Sequence, residues 1–327
     1  MPTSGTIAFS VNRDDVITAA MQSISAIGDA ETPSGSDIET CSFWLNLLVK
    51  QWSGTKDFAP GLKMWSRKTG YCFLSSTTGT FQLGNGGDNW TGAYNQTLLT
   101  AAGSAGGYYI AVASATGIVA GYNIGIQLDD GSLQWTTVVS ITNLSVRLAA
   151  TLNYAASSGN VVFCYQTKSR RPMTLLTVVL RDINLNDTPI WIGSLQDYEA
   201  VAQKSQMGDP TFVYYQYAGD PSLPGTLYTD TYSIDVSKVL RIIYLSDIED
   251  LNAATDTVDY SPAWYLPLAL NLGLLLAPVF RLPITDDMRR NAAVALAVAQ
   301  SETPDYQMIY FQPDRVDLGY GAYGMYP

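Results

Sequence analysis

Histidine is absent from this 327-residue chain. That removes the commonest general base near neutral pH and the commonest transition-metal ligand. Serine-triad, cysteine–histidine and ordinary zinc chemistry are therefore poor fits. Cysteine is also scarce: Cys41, Cys72 and Cys164 lie far apart and form no C-x-x-C pair. Without a disulfide framework or a basic, apolar leader, the chain is expected to fold in a reducing cytoplasm. Charge is sparse too, at 14% of residues, and glutamate is confined to Glu31, Glu39, Glu199, Glu249 and Glu302. With 29 acidic against 18 basic residues the net charge is -11, the wrong sign for gripping nucleic acid. The nearest basic cluster, Lys168, Arg170 and Arg171, is short and reads as a solvated loop or a set of salt-bridge partners. No cofactor, metal ligand or catalytic residue is expected.

What remains is apolar and polar-neutral. Hydrophobic residues make up 47% of the chain and aromatics 11%, enough for a sizeable core in two or three packed units. Abundant Gly, Ser, Thr, Asn and Tyr give a surface that meets other proteins through hydrogen bonds and rings.

Helical periodicity is concentrated at the two ends. Asn12 stands as a cap before Asp14 and Asp15, and Val16, Ala20, Ile24 and Ile27 form one apolar stripe that Gly28 should terminate. Ser36 and Glu39 have capping-box spacing before a second helix to about Trp52, whose inward face is Cys41, Trp44, Leu45, Leu48 and Trp52. Near the other end, Ser261 and Pro262 open a run without charge over residues 263–280. Its length approaches a membrane span, but Asn271, Gly273, Pro267 and Pro278 favour a helix buried between its own partners and a neighbouring subunit. Thr285 caps a last helix with the stripe Met288, Ala292, Ala295, Leu296 and Ala299.

Between these ends the texture is β. Short strands and tight turns are predicted from Met64 to Leu83, and a linker or loop from Leu83 to Gly107. A small barrel or sandwich follows over Tyr108 to Gln166, where Asp129-Asp130-Gly131 marks a turn rather than a metal or catalytic pair. Further strands follow, with one short helix capped by Ser194. The predicted division is an N-terminal helical half of a body (1–60), a β-hairpin and linker (61–107), a small β module (108–166) and a β-rich region with one short helix (167–255). A C-terminal helical half (256–303) and an extended arm (304–327) complete it. The predicted fold class is α+β: a terminal α-helical bundle built from N- and C-terminal helix pairs, with a large β-rich insertion including a small barrel or sandwich. Tyr320, Tyr323 and Tyr326 of the arm, together with Trp135 and Trp264, are candidate partner-binding residues, since amphipathic rings dock well into partner grooves.

The run Thr188-Pro189-Ile190-Trp191-Ile192, then Tyr198 with Lys204-Ser205, Gly225-Thr226-Leu227-Tyr228, Ile248-Glu249-Asp250, Trp264-Tyr265-Leu266, Asn271-Leu272 and Leu276-Ala277-Pro278 resembles the head-to-tail adaptor proteins of short-tailed bacteriophages. The resemblance covers the layout of most of residues 10 to 310, and its motifs are structural signatures rather than a chemical fingerprint. It implies a non-enzymatic virion protein at the head–tail junction, made in the host cytoplasm. It further implies a homo-oligomeric, twelvefold ring below the portal protein, with tail nozzle or tail fibre proteins docked to it and no stable membrane insertion. Double-stranded DNA would pass through without specific binding, as suits a negative lumen. Two other classes stay open. A receptor- or carbohydrate-binding tail component would use Trp90, Tyr94, Trp135 and Tyr217. A glycoside hydrolase needs only two carboxylates ~5 to 9 Å apart.

Overall fold

A computed structural model describes residues 9–54, 65–84, 86–220, 222–257 and 261–302. The chain divides into two compact units, one of residues 1–48, 54–64 and 251–327 and the other of 49–53 and 65–250.

The second unit is built from strands whose side chains alternate in burial. In β16 (Val239–Ser246), Leu240, Ile242, Tyr244 and Ser246 are buried while Arg241, Ile243 and Leu245 are half-buried. This strand lies inside an eight-stranded sheet ordered β2-β14-β13-β11-β10-β16-β1-β3. Its other members are β1 (Arg67–Phe73), β2 (Thr80–Leu83), β3 (Trp90–Thr91), β10 (Pro172–Arg181), β11 (Asp187–Gly193), β13 (Phe212–Gln216) and β14 (Gly225–Thr229). All neighbours are antiparallel except β11 and β13. That parallel step needs a crossover, and the short helix α3 (Leu195–Glu199) lies within it, capped reciprocally by Ser194 and Asp197. The short strands β12 (Met207–Gly208) and β15 (Tyr232–Ser233) pair separately.

The second sheet has six strands, ordered β4-β9-β6-β7-β8-β5: β4 (Asn95–Leu98), β5 (Tyr109–Ala111), β6 (Asn123–Gln127), β7 (Leu133–Thr142), β8 (Ser145–Leu148) and β9 (Val161–Tyr165). It curls until its ends meet. Leu99 bridges to Val112, Thr100 N–H donates to Ala111 O at 2.9 Å, and Ala113 N–H donates to Leu98 O at 2.8 Å. Closure removes the open edges, and Ile110, Val112, Ile124, Ile126, Val146 and Leu148 fill the interior.

Strand β9 is buried at every position because it serves two cores. Val162 and Cys164 point into the barrel, while Val161, Phe163 and Tyr165 point outward into a separate cluster with Phe73, Val236 and Val239. Phe73, at the end of β1, has ring centroids 4.6 Å from Phe163, 5.1 Å from Trp135, 5.3 Å from Tyr94 and 6.1 Å from Tyr165. These offset and edge-on contacts join the two sheets. A third core fills the eight-stranded sheet, with Trp90 lying so close to Gly70 that a Cβ there would be 2.2 Å from the indole.

The first unit holds α1 (Arg13–Ser23), α4 (Tyr265–Val279) and α5 (Asp286–Glu302). Most of α2 (Gly35–Gly54) also belongs to it, and the short 3-10 turn Pro262–Trp264 leads into α4. Asn12 and Asp15 form the capping box of α1, and Thr285 Oγ1 accepts from Met288 N–H at 3.3 Å at the start of α5. The cap of α2 is Ser34 with Asp37, not Ser36 with Glu39: Ser34 Oγ accepts from Asp37 N–H at 3.3 Å and donates to Asp37 Oδ2 at 2.6 Å. Helix α1 stops at Ser23, before Gly28, and Ser25 takes a φ of 58° in the left-handed region. Helix α4 packs on α1 and α5. The Pro262–Val279 segment is long and apolar enough to cross a membrane by length and composition. It buries Trp264, Leu268, Leu272 and Leu276 and exposes Leu266 and Val279.

The expected α+β fold with a terminal helical bundle as its body is overturned. The described residues hold sixteen strands and five α-helices, and the large hydrophobic clusters described above are lined by sheet residues. The physical reason is size. The helical unit rests on four helices of 11 to 20 residues, whereas the two sheets of the other unit take fourteen of the sixteen strands. Residues 83–107, expected as a linker, contribute β3 and β4.

Two substitutions test this packing. Phe73→Ala should lower unfolding free energy by about 3–5 kcal/mol, measured by denaturant titration; a loss below about 1 kcal/mol would show that the sheets do not depend on this ring. Gly273→Leu should lower the stability of the helical unit, by about 1–3 kcal/mol. A Cβ there would lie 2.5 Å from Ser23 Oγ and 3.1 Å from Ala20 O. Unchanged unfolding of that unit would contradict the close α1–α4 approach.

Candidate functional site

A cleft of about 620 Å³ in the second unit runs between β4 and the β10–β11 hairpin. Tyr71 and Tyr94 line it and meet edge to face, with centroids 4.9 Å apart. Both rings belong to the Phe73 cluster. Burial, then the neighbouring Tyr71, pushes the Tyr94 hydroxyl upward in pKa, against the pull of Arg181.

The hairpin tip forming the opposite wall is held by one carboxylate. Asp182 accepts from Asn184 N–H, Asn186 N–H and Asn186 Nδ2, each at 2.8 Å. These bonds set Leu185 at φ 66°, a conformation that side-chain-bearing residues seldom adopt. They leave Leu185 69% exposed beside exposed Ile183. At the hairpin base, Arg181 Nε and Nη2 donate to the two oxygens of Asp187 at 2.7 Å each, and Arg241 approaches the same carboxylate at 3.6 Å. The Arg181 hydrogen bond holds Asp187 below the usual carboxylate range, and bonds from Asn186 do the same for Asp182.

A second cavity, of about 470 Å³, is lined by Lys50, Arg170, Arg171, Tyr217, Asp247 and Asp250 among others. Here the basic cluster is tied up in structure. Arg170 pairs with Glu249 at 2.8 Å, Lys50 with Asp250 at 2.9 Å, and Lys168 with Asp88 at 2.6 Å. Arg171 is 7% exposed. Its guanidinium donates to Ala218 O at 2.5 Å, Asp220 O at 2.6 Å and Tyr217 Oη at 2.8 Å. It also lies 4.4 Å from the centre of the Tyr217 ring. The cluster is a loop clamp rather than a phosphate grip.

Asp129 and Asp130 make turns. Asp129 accepts from Ser157 N–H at 2.8 Å and Asn160 Nδ2 at 3.0 Å, Asp130 accepts from Ser132 N–H at 3.0 Å, and Gly131 has φ 82°. Among the described residues no group of three or more His, Cys, Asp or Glu is placed to hold a metal. The three thiols are buried and free. Desolvation pushes Cys41 and Cys164 up to about 11 and Cys72 higher still.

The residues singled out from sequence are not brought together. Tyr320, Tyr323 and Tyr326 lie outside the described residues. Trp264 is fully buried in the helical unit, and Trp135 is half-buried against Phe73. Trp90 is a core residue whose Nε1 donates to Arg170 O at 2.9 Å. Of the four aromatics assigned to a carbohydrate-binding role, Tyr94 lines the cleft beside β4 and Tyr217 is open to solvent on Arg171. The most exposed indole among those described is Trp191, at 61%. Sequence reasoning did not choose Trp191 as a binding residue. Its neighbours Pro189 and Thr188 at a strand start were the available signal. Also missed were Tyr198, Tyr214 and Tyr228, whose rings pack against one another, with Lys204 over Tyr198 at 4.8 Å.

No protein-family model matches the chain, and no curated protein matches it. Among solved structures, a tailspike of Acinetobacter baumannii bacteriophage AP22, in complex with A. baumannii capsular saccharide, shows a likeness at 15% identity and a TM-score of 0.21. It covers 24% of this chain and 16% of that one, too little to define a fold or a function for the whole.

The electrostatics of the hairpin make a direct prediction. Because the folded-state pKa values of Asp182 and Asp187 are depressed, their stabilising contribution is present above the ordinary aspartate value of about 3.9 and is lost as pH falls through the depressed values. Carboxyl carbon shifts followed by NMR should give midpoints for both residues below about 3.9. A midpoint at or above it would contradict the hydrogen-bond pattern of the hairpin.

Proposed function

We propose that this chain is a non-enzymatic structural component of a bacteriophage tail that works by docking, and that its place is the head-to-tail junction, as an adaptor below the portal. The observation that carries the reading is a pair of apolar stripes on the helices. On α2, Phe43 and Leu47 are exposed, and on α5, Val294 and Val298 are exposed. Each pair has the i, i+4 spacing that places both side chains on one helix face. Helix faces of this kind are ordinarily covered, here by a second copy of the chain in a ring. The residue pattern from Thr188 to Pro278 supports the same role. In that reading DNA passes a surface carrying a net charge of -11 without being held, and the β unit offers surface to nozzle or fibre proteins.

A receptor- or carbohydrate-binding tail component is the second reading. The exposed ring of Trp191 and the aromatic-lined cleft favour it. Hydrolysis is no part of either proposal.

Leu47→Asp combined with Val298→Asp should abolish self-association and assembly onto a portal, read by sedimentation velocity. The melting transition should change little, because exposed substitutions usually stay within about 0.5 kcal/mol. Assembly equal to that of the unmodified protein would remove the stripes as the ring contact.

A further inference from the structure

We propose that the cleft between β4 and the β10–β11 hairpin is a binding site for a neutral oligosaccharide. The proposal rests on the receptor-binding reading above and gives that reading a location. The volume of about 620 Å³ falls within the ~300–1,000 Å³ of ordinary small-ligand clefts, and three features of the lining fit a sugar.

The first is the pair of rings. A pyranose presents apolar C–H faces, and Tyr71 and Tyr94, half-buried in their edge-to-face pair, supply aromatic surface to the cleft wall. Leu98, Ile183 and Leu185 extend this apolar surface along the cleft.

The second is a set of polar groups each fixed at one atom and free at another. Asn95 Nδ2 donates to Gly117 O at 3.3 Å and Gln96 Nε2 to Ser237 O at 3.4 Å. Each amide is thereby oriented, with its carbonyl oxygen left to accept. Thr97 Oγ1 accepts from Ser114 N–H at 3.0 Å, which leaves its O–H to donate. Arg181 uses Nε and Nη2 on Asp187, and Nη1 keeps its donors. Fixed donors and acceptors in mixture suit hydroxyls, which are both at once. Because Asp187 already meets the Arg181 charge, the cleft does not demand an anion.

The third is that the side of β4 away from β9 is occupied at its Thr97–Leu98 end. Strand β9 pairs along one side, while Ala113 N–H donates to Leu98 O and Ser114 N–H to Thr97 Oγ1 on the other. A peptide adding as a strand would meet that occupied stretch, which interrupts the row of donors and acceptors it needs. The Asp182 network also sets the hairpin tip in advance of binding, which lowers the ordering cost of a ligand.

The test uses the full chain on an array of neutral hexose, N-acetylhexosamine and deoxyhexose oligosaccharides, followed by calorimetric titration of the strongest binder. Asn95→Ala and Leu185→Asn alter exposed side chains, and asparagine accepts the left-handed backbone at 185. Each should weaken binding by about ten-fold with an unchanged melting transition, whereas Trp191→Ala should leave it intact. Affinity that survives both cleft variants overturns the proposal. If it is then lost in Trp191→Ala, the receptor-binding reading stands and the site is elsewhere. Retention of no glycan on the array overturns the site and that reading together.

Discussion

Phe73 stands where the two curved sheets of the β unit meet, and the arrangement of that unit depends on its ring contacts. The barrel has its own core, and the eight-stranded sheet has another. What fixes one sheet against the other is the cluster in which Phe73 meets Phe163, Trp135, Tyr94 and Tyr165. Aromatic pairs favour particular offsets and tilts, so this contact sets an orientation as well as burying area. The cleft beside β4 is a consequence, since Tyr71 and Tyr94 from the same cluster line it.

The acidity of the chain has a local cause in addition to any role it has in a channel. Asp130 accepts from Ser132, Asp220 from Ser222 and Asp235 from Ser237, each from both the N–H and the hydroxyl two residues on. Asp15, Asp37 and Asp197 complete helix caps. A carboxylate on one methylene reaches such nearby groups, and glutamate is a carbon too long for the same geometry. The excess of aspartate over glutamate therefore follows from a fold rich in tight turns.

Features set by neighbours in sequence were legible there. The caps at Asn12, Ser194 and Thr285, the strands around Leu175–Leu180 and Val239–Leu245, and the Asp-Gly turn at 130–131 all depend on a few adjacent residues. Features set by distant contacts were not. Closure of the barrel joins residues 98–100 to 111–113, and the cleft joins residues 94–98 to 181–185; neither partnership leaves a periodic signal. Trp90 read as an exposed, carbohydrate-binding ring from its Gly- and Thr-rich β context, yet it is buried because Gly70 leaves room for its ring. The same weighting of local pattern made the terminal helices look like the body of the molecule. Helical periodicity is strong over long windows, while short strands buried on both faces, such as β9, lose the alternation that would identify them.

The central proposal is that the chain works as an adaptor, in a ring below a portal. Mass photometry of the unmodified protein, alone and mixed with a portal ring, tests it most directly. Closed rings of many copies bound to the portal are expected. A particle that stays monomeric, or forms a trimer indifferent to the portal, would contradict it.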